Sequence, residues 1–399
     1  MHFARYLRCF RLCLQWLPGL LLSSLVLASE LRPLTLDLHG TVGVARTLAA
    51  GVAYRPNDAE AQAAGRNWSD RLDNRIGLQA TWKAAEHWAL TSQWLLHRNG
   101  LNEVQGEFPV AYLAWQPSPQ FEARFGRFRQ VLFLTTDSFD IGYAHPWVRP
   151  PAELYTLVGE MTALEGVQLR YRQPVGDYQG TVTAHLARAS LKRPSYENVN
   201  RRNFGLALTL SDPYLTLQAA AIYADAQLNM PAIDRVGQLV AAQNPDVARE
   251  YLVGPVSGLW YGGLGMRYER AGWMLMSEIG ATQLQRISLR DRVGWYLTLG
   301  HTWGNWTPYV TYARNRTTSP LQESRLSGPA AQAANALLAR RDSNQQTWSL
   351  GVRWDFAAGM ALKAQWDSVR PETYGLQASP LPAGRSRFEV FSLVMDWAF

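Results

Sequence analysis

Cysteine is almost missing from this 399-residue chain: the two present, Cys9 and Cys13, both lie near the N-terminus. Once the leader described below is removed, none remains. That excludes a disulfide framework, thiol catalysis and a cysteine-based metal site. Charge is also scarce, at 18% of residues against about 25% in ordinary soluble domains. Beyond residue 28 no apolar run reaches the roughly 18 residues of a spanning helix, which excludes a helical membrane protein. A membrane barrel needs no such run, because only one face of each strand meets lipid. Catalytic signatures are missing as well: there is no HExxH, no Gly-x-Ser-x-Gly, no P-loop and no dinucleotide fingerprint. His39, His87, His97, His145, His185 and His301 are scattered and form no metal spacing. No enzyme, metal or cofactor is therefore expected, although a rim pair such as His185 with a neighbouring serine stays open as an alternative.

What is present begins with an export leader. Arg5, Arg8 and Arg11 precede a mostly apolar stretch, and Val26-Leu27-Ala28 offers a cleavage site. Residues 1–28 are expected to be a signal peptide and 29–399 the mature domain. A transmembrane anchor is the competing reading, but the apolar stretch is short and Pro18 and Gly19 interrupt it. Removing the leader lowers Lys plus Arg from 39 to 36 against 32 Asp plus Glu, so the mature net charge is +4. With no run of five basic residues, nucleic acid is not an expected partner.

Aromatics are abundant, with 16 Trp and 17 Tyr in a chain that is 12% aromatic. Yet the mean hydropathy is only −0.20, so apolar and polar residues must interleave. At the C-terminus, Phe391, Leu393, Met395, Trp397 and Phe399 alternate with Ser392, Val394, Asp396 and Ala398. Around residue 350, Trp348, Leu350, Val352, Trp354 and Phe356 alternate with Ser349, Gly351, Arg353 and Asp355. A period of two is the mark of a strand with one apolar face. Charge on the other face of so apolar a strand points to a wet interior rather than a packed core.

Such segments run from 34–46 to 387–399, and sixteen can be placed. Their connections alternate long and short, starting with the long 47–74. The short ones hold turn residues such as Asp212-Pro213 and Ala271-Gly272. The other long ones include 97–107, 130–162, 189–202, 227–258 and 315–345. Tight turns at one rim and long loops at the other mark a transmembrane antiparallel up-and-down β-barrel of about 16 strands, an all-β fold. Trp82, Trp88, Trp115, Trp273, Trp306 and Trp354 cluster beside the tight turns, as an interfacial girdle requires. Strand propensity alone explains aromatics in strands but not that clustering. A soluble all-β protein would carry more charge on its outer face. Within the seventh long loop, residues 330–339 favour a short surface helix.

The pattern resembles the sixteen-stranded porins of Gram-negative outer membranes. Three stretches carry the resemblance: the terminal strand ending in Phe399, the opening strand Leu36-Asp37-Leu38-His39-Gly40-Thr41-Val42-Gly43, and the centre. The centre reads Phe125-Gly126-Arg127, a long loop, then Glu165-Gly166-Val167-Gln168-Leu169-Arg170-Tyr171-Arg172. The resemblance implies a third loop folded into the lumen and a channel for passive diffusion of small hydrophilic solutes. It also implies location in the outer membrane amid lipid and lipopolysaccharide, a homotrimer, and recognition of Phe399 by barrel-assembly machinery. Gly40, Val42 and Val44 are candidates for the trimer face. The third loop is richer in aromatics and proline than a typical constriction loop, so the solute is not carried over. A substrate-specific channel (sugar, or aromatic or carboxylic acid), an adhesin, an enzyme or a scaffold remain alternatives.

In such a channel, loop acids oppose wall bases across a narrow, partly desolvated passage, where charges act strongly. Here the loop offers Asp137, Asp140, Glu153 and Glu160. Strand parity turns Arg75, Lys83, Arg124, Arg170, Arg172, Arg267, Arg353 and Lys363 inward. Arg127 matches the family's Gly-Arg position, although strict alternation turns it outward unless the strand end bends. Tyr143 and Trp147, beside Pro146, Pro150 and Pro151, would wedge the loop against the wall. A lid over the mouth is the alternative placement. The inward inventory is basic, so a weak anion preference is expected.

Overall fold

The computed structural model describes residues 33–55, 64–98, 103–159, 163–193, 196–251, 255–284, 289–320, 322–372, 375–376 and 381–399. The leader and Glu160 lie outside them. Among the described residues, sixteen antiparallel strands close into a single barrel. They are β1 (Leu34–Thr47), β2 (Arg75–Ala85), β3 (Trp88–Arg98), β4 (Val104–Trp115), β5 (Phe121–Arg129), β6 (Ala163–Val175), β7 (Tyr178–Arg193) and β8 (Tyr196–Ser211). The second eight are β9 (Leu215–Asn229), β10 (Pro255–Arg270), β11 (Trp273–Gln283), β12 (Arg292–His301), β13 (Trp306–Thr317), β14 (Gln345–Ala357), β15 (Met360–Pro371) and β16 (Phe388–Ala398).

Each strand pairs with its neighbours in the chain, and β1 pairs with β16, so no edge is left open. At that seam Leu38 and Phe399 exchange backbone hydrogen bonds of 2.8 and 2.9 Å. Alternation decides which side chains enter. In β16, Val390, Ser392, Val394 and Asp396 are buried inside, while Leu393 is exposed outside. The outward Trp306 and Trp354 stack at 5.1 Å near the short-turn rim, and Trp88 meets Trp115 at 6.2 Å. The short turns have a backbone reason for their residues. Ala271 and Gly272 take φ of +52° and +81°, the two left-handed residues of a type I′ hairpin. At Gly359, φ is +70° and an added Cβ would lie 2.5 Å from the Ala398 carbonyl oxygen.

Two expected loops are largely strand. The stretch 189–202 continues β7 and β8, which pair out to Arg193 and Tyr196, and β4 begins at Val104 rather than 108. Beyond the membrane both faces are wet, so the alternation that marks a strand in the sequence fades there. Among the described residues the loops also hold four α-helices: α1 (Ala152–Tyr155), α2 (Pro231–Ala241), α3 (Pro245–Tyr251) and α4 (Gly328–Arg340). The sequence anticipates only α4. It packs Ala334 and Leu338 against Val240 of α2 and Val247, Ala248 and Tyr251 of α3. Leu228 of β9 and Ile233 of α2 make a second small core beneath this bundle. A helical cap thus rises from the long-loop rim of the second half of the barrel.

Candidate functional site: the third loop and the wall it faces

The third loop follows β5 and returns through α1 to β6. A loop inside a barrel must find partners for its own backbone, and here the wall supplies them. Lys363 of β15 donates to the carbonyls of Gly142 (2.7 Å) and Trp147 (3.1 Å). Arg353 of β14 donates to the carbonyls of Tyr143 (2.5 Å) and His145 (3.1 Å). Arg292 of β12 donates to Thr156 and Leu157, and Asn315 of β13 to Glu153. From the other side, the amides of Leu134 and Val148 donate to the side chains of Glu278 and Gln365.

Side chains complete the attachment. Trp147 is 1% exposed; its indole N–H lies 3.0 Å from Thr298 Oγ1 and 3.2 Å from Thr311 Oγ1, and its ring meets Tyr296 edge-on. Tyr155 donates to Glu278 at 2.7 Å, as does Tyr296. Phe133 and Phe139 stack on Tyr155, forming an aromatic core behind the loop. Gly142 lies where any side chain would strike Asp396 Oδ1 and Thr41 Oγ1. Below it, Asp396 accepts from Thr41 (2.5 Å) and pairs with the fully buried Lys363 (2.8 Å). His145 is buried with Nε2 2.8 Å from the Ser138 carbonyl, and desolvation pushes its ring down to about 3.

The predicted site residues therefore divide. Glu153 is 2% exposed and accepts from Gln345 (2.7 Å) and Thr347, and burial raises its carboxyl above the usual carboxylate range. Asp140 is buried against Arg129. Both acids fasten the loop. Among the described loop acids only Asp137 has an exposed side chain, 71% accessible, and it lies 3.6 Å from Arg170 on the opposite wall. Tyr143 lies under the Arg353 guanidinium, 4.5 Å from ring centre to Cζ. Tyr143 and Trp147 are thus spent on the wall. Arg353 and Lys363 face inward as parity requires, but they serve the loop.

Across the lumen, Arg124 and Arg172 clasp the carboxylate of Glu122, Arg172 at 2.9 Å. Arg124 also covers the Tyr112 ring at 4.6 Å and reaches Gln168. Arg170 stands opposite Glu122 in the β5–β6 register, and its buried Nε has no hydrogen-bond partner among the described residues. Arg75 sits on the inward register of β2, next but one to the buried inward Gly77. Lys83 is exposed near the short-turn rim, and Arg267 pairs with Glu269 at 2.8 Å.

Arg127 is the exception. It lies opposite Ala111 and Glu165, both on the outward register, and bonds to Glu165 and to the Phe108 carbonyl. Gly126 does depart from strand geometry, with φ of +131°, but the register runs through it unbroken and Arg127 stays outside. His185 is buried with Nε2 2.9 Å from Asn203 Oδ1 and its ring against Gly205. Sequence reasoning also passed over Arg149, which reaches Asp73 (2.5 Å) and Ser392 (3.0 Å) beside the Tyr54 ring. An arginine set among Pro146, Pro150 and Pro151 was the available signal.

No protein-family model and no curated protein matches the sequence. Solved structures do. The outer membrane channel DcaP of Acinetobacter baumannii aligns at 9% identity over 92% of this chain and 97% of that one, with a TM-score of 0.56. The anion-selective porin from Comamonas acidovorans aligns at 13% identity over 92% and 100%, with a TM-score of 0.55. The trimer form of the outer membrane protein OmpT of Vibrio cholerae aligns at 10% identity over 92% and 99%, at 0.50. With its closed ring of sixteen antiparallel strands, the chain has the barrel fold of the outer-membrane porins.

Proposed function

We propose that this protein is an outer-membrane channel through which small hydrophilic solutes and ions diffuse passively, with a weak preference for anions. The observation that carries the reading is the division of the lumen. The third loop is bonded to β11–β16, and the opposite wall presents Arg75, Arg124, Arg170 and Arg172 against the wall acids Glu122 and Glu107 and, among the described loop acids, the exposed Asp137. Positive charge in excess along a narrow aqueous path favours anions, because low-dielectric walls focus its field. Of the two channel types, general diffusion is favoured over a specific site for sugars or aromatic acids. The loop aromatics that suggested specificity, Tyr143 and Trp147, are turned to the wall.

The exported chain is read as residues 29–399 after loss of a signal peptide, and as a trimer through the outer face of β1. On that face Val42 is exposed and Gly40 leaves room for the Trp397 ring. The trimer form of a structural neighbour supports this reading.

The deciding experiment is planar-bilayer recording of the refolded mature protein under a salt gradient. Stepwise openings in groups of three, with a reversal potential on the anion side, are expected. A folded, heat-modifiable barrel that never conducts would sink the channel. A several-fold preference for cations would sink the assigned selectivity alone.

A further inference from the structure

Glu278 of β11 lies behind the third loop, 4% exposed, and holds both of its limbs. On the limb leaving β5, the Leu134 amide donates to Glu278 Oε2 at 2.8 Å. On the limb returning to β6, the Tyr155 hydroxyl donates to Oε1 at 2.7 Å, as Tyr296 of β12 does. Tyr155 in turn accepts from Thr135 Oγ1 at 2.8 Å. Two consecutive residues of the first limb are thus tied to one wall carboxylate, the second through a phenol. A carboxylate is acceptor-only, and three donors meet it here. The seat is shaped as well as bonded. Gly265 stands opposite Glu278 in the β10–β11 register, and a Cβ there would come within 2.8 Å of Leu134 Cγ.

Leu134 and Thr135 lead directly into the short 3-10 turn Thr136–Ser138, whose middle residue is Asp137. Within the loop, Thr136 Oγ1 accepts from the amides of Leu132 and Phe133, and the Ser138 carbonyl meets His145 Nε2. Among the described residues, the direct hydrogen bond between the wall and residues 134–138 is the one from Leu134 to Glu278. Asp137 approaches Arg170 at 3.6 Å, too long for a hydrogen bond. Its place is therefore set by the turn that carries it rather than by its own pairing.

We propose that Glu278 is a positioning residue of the channel: it sets where Asp137 stands before Arg170, and so how much of the wall's positive charge a passing ion meets. The inference rests on the reading of the chain as a channel. Buried as it is, Glu278 touches no solute; it acts through the turn. The attraction between charges falls with distance, and water and salt screen it further, so a turn that swings away from Arg170 unmasks that arginine. Glu278→Gln would loosen the turn, because an amide has one oxygen and one NH2 group. Either the Leu134 N–H or the two phenols then face a donor.

Two measurements on the refolded mature protein test this. The first is the reversal potential in planar bilayers. Asp137→Asn and Glu278→Gln should each move it toward anions, and the double variant should move it no further than Asp137→Asn alone. Gly265→Ala, which dislodges Leu134 without altering charge, should act in the same direction, and only while Asp137 is present. No shift from Glu278→Gln overturns the proposal. So does a shift that persists in full beside Asp137→Asn, because that marks the field of Glu278 itself. The second measurement needs no current. Asp137→Cys gives the mature chain one thiol, to which a nitroxide is attached. Its spectrum should show an ordered label that gains a mobile component with Glu278→Gln or Gly265→Ala; unchanged mobility refutes the positioning role. If Glu278→Gln does not fold, judged by heat-modifiable mobility, Gly265→Ala carries both measurements. The label also keeps the two readings apart. A barrel that never conducts loses the channel, while its label still reports whether Glu278 places residue 137. A conducting barrel with an indifferent label keeps the channel and loses the positioning role.

Discussion

One barrel wall is used in two ways. On β11–β16 the inward positions are buried under the third loop, and their charges are neutralised or bonded to loop carbonyls: Lys363 with Asp396, Arg353 with Tyr143, Glu278 with Tyr155. On β2–β6, among the described residues, the inward arginines are held by side chains rather than by loop carbonyls: Arg124 and Arg172 share the wall acid Glu122, and Arg170 lies beside the loop's exposed Asp137. Strand periodicity is the same in both halves. An inward charge becomes an anchor or a lining according to whether the loop lies over it. Glu278 apart, the covered half should therefore respond to substitution in stability, and the open half in ion transport.

The strongest test of that division is Asp396→Asn. It leaves the Lys363 ammonium buried without its counter-charge, at a cost of about 3–5 kcal/mol, read from urea unfolding in micelles. A loss below about 1 kcal/mol would show that the loop carbonyls alone hold Lys363.

Next comes acid. The folded protein holds His145 neutral, its pKa lowered from the ordinary 6.5 to about 3. Between those values the unfolded ring takes a proton that the folded one refuses, so stability falls as pH drops below about 6.5. Unfolding midpoints measured from pH 7 to pH 4 should decline more in the wild type than in His145→Asn; parallel curves would exclude His145 as the cause.

The helical cap should be milder. Glu323 accepts from Tyr251 (3.0 Å) and Arg325 (2.7 Å), and its bonds with Arg325 hold its carboxyl down to about 2. Glu323→Gln should loosen the cap by about 1 kcal/mol, since Arg325 is half exposed. Its contribution in the wild type should be full above about pH 4.5 and be lost progressively as the pH falls from there to about 2. Limited proteolysis within α2–α4 measures this, and unchanged cleavage would refute it. Smallest in stability is Arg170→Gln, within about 0.5 kcal/mol, yet it should move the reversal potential toward cations. If Arg170→Gln destabilised the barrel as much as Asp396→Asn, the two halves would not be different.

The strands were legible because each must satisfy two solvents at once. Lipid outside and water or polar loop inside impose alternation so firmly that β5 is found at Phe121–Arg129, as read from the sequence. Where that constraint ends, so does the signal. The outer ends of β7 and β8 and the helices α2 and α3 have water on one side and each other for company. The site was legible by half. Parity turned Arg124, Arg170, Arg353 and Lys363 inward, but no periodicity distinguishes lining from anchor. That depends on where Trp147 and Tyr143 dock, which is set by the shape of pockets across the lumen. Arg127 marks the limit of motif matching: its Gly-Arg neighbourhood is familiar, yet a pleat with a period of two gave the better answer.

The seam between β1 and β16 has a temporal meaning. Thr41 and Asp396 meet across 355 residues of sequence, whereas the other fifteen pairings join strands adjacent in the chain. Bringing such distant ends together from a disordered chain costs about 5 kcal/mol in loop entropy, a cost largely met once the intervening hairpins exist. The seam is therefore the last pairing to form. Until it does, two strand edges stay open to any chain they encounter.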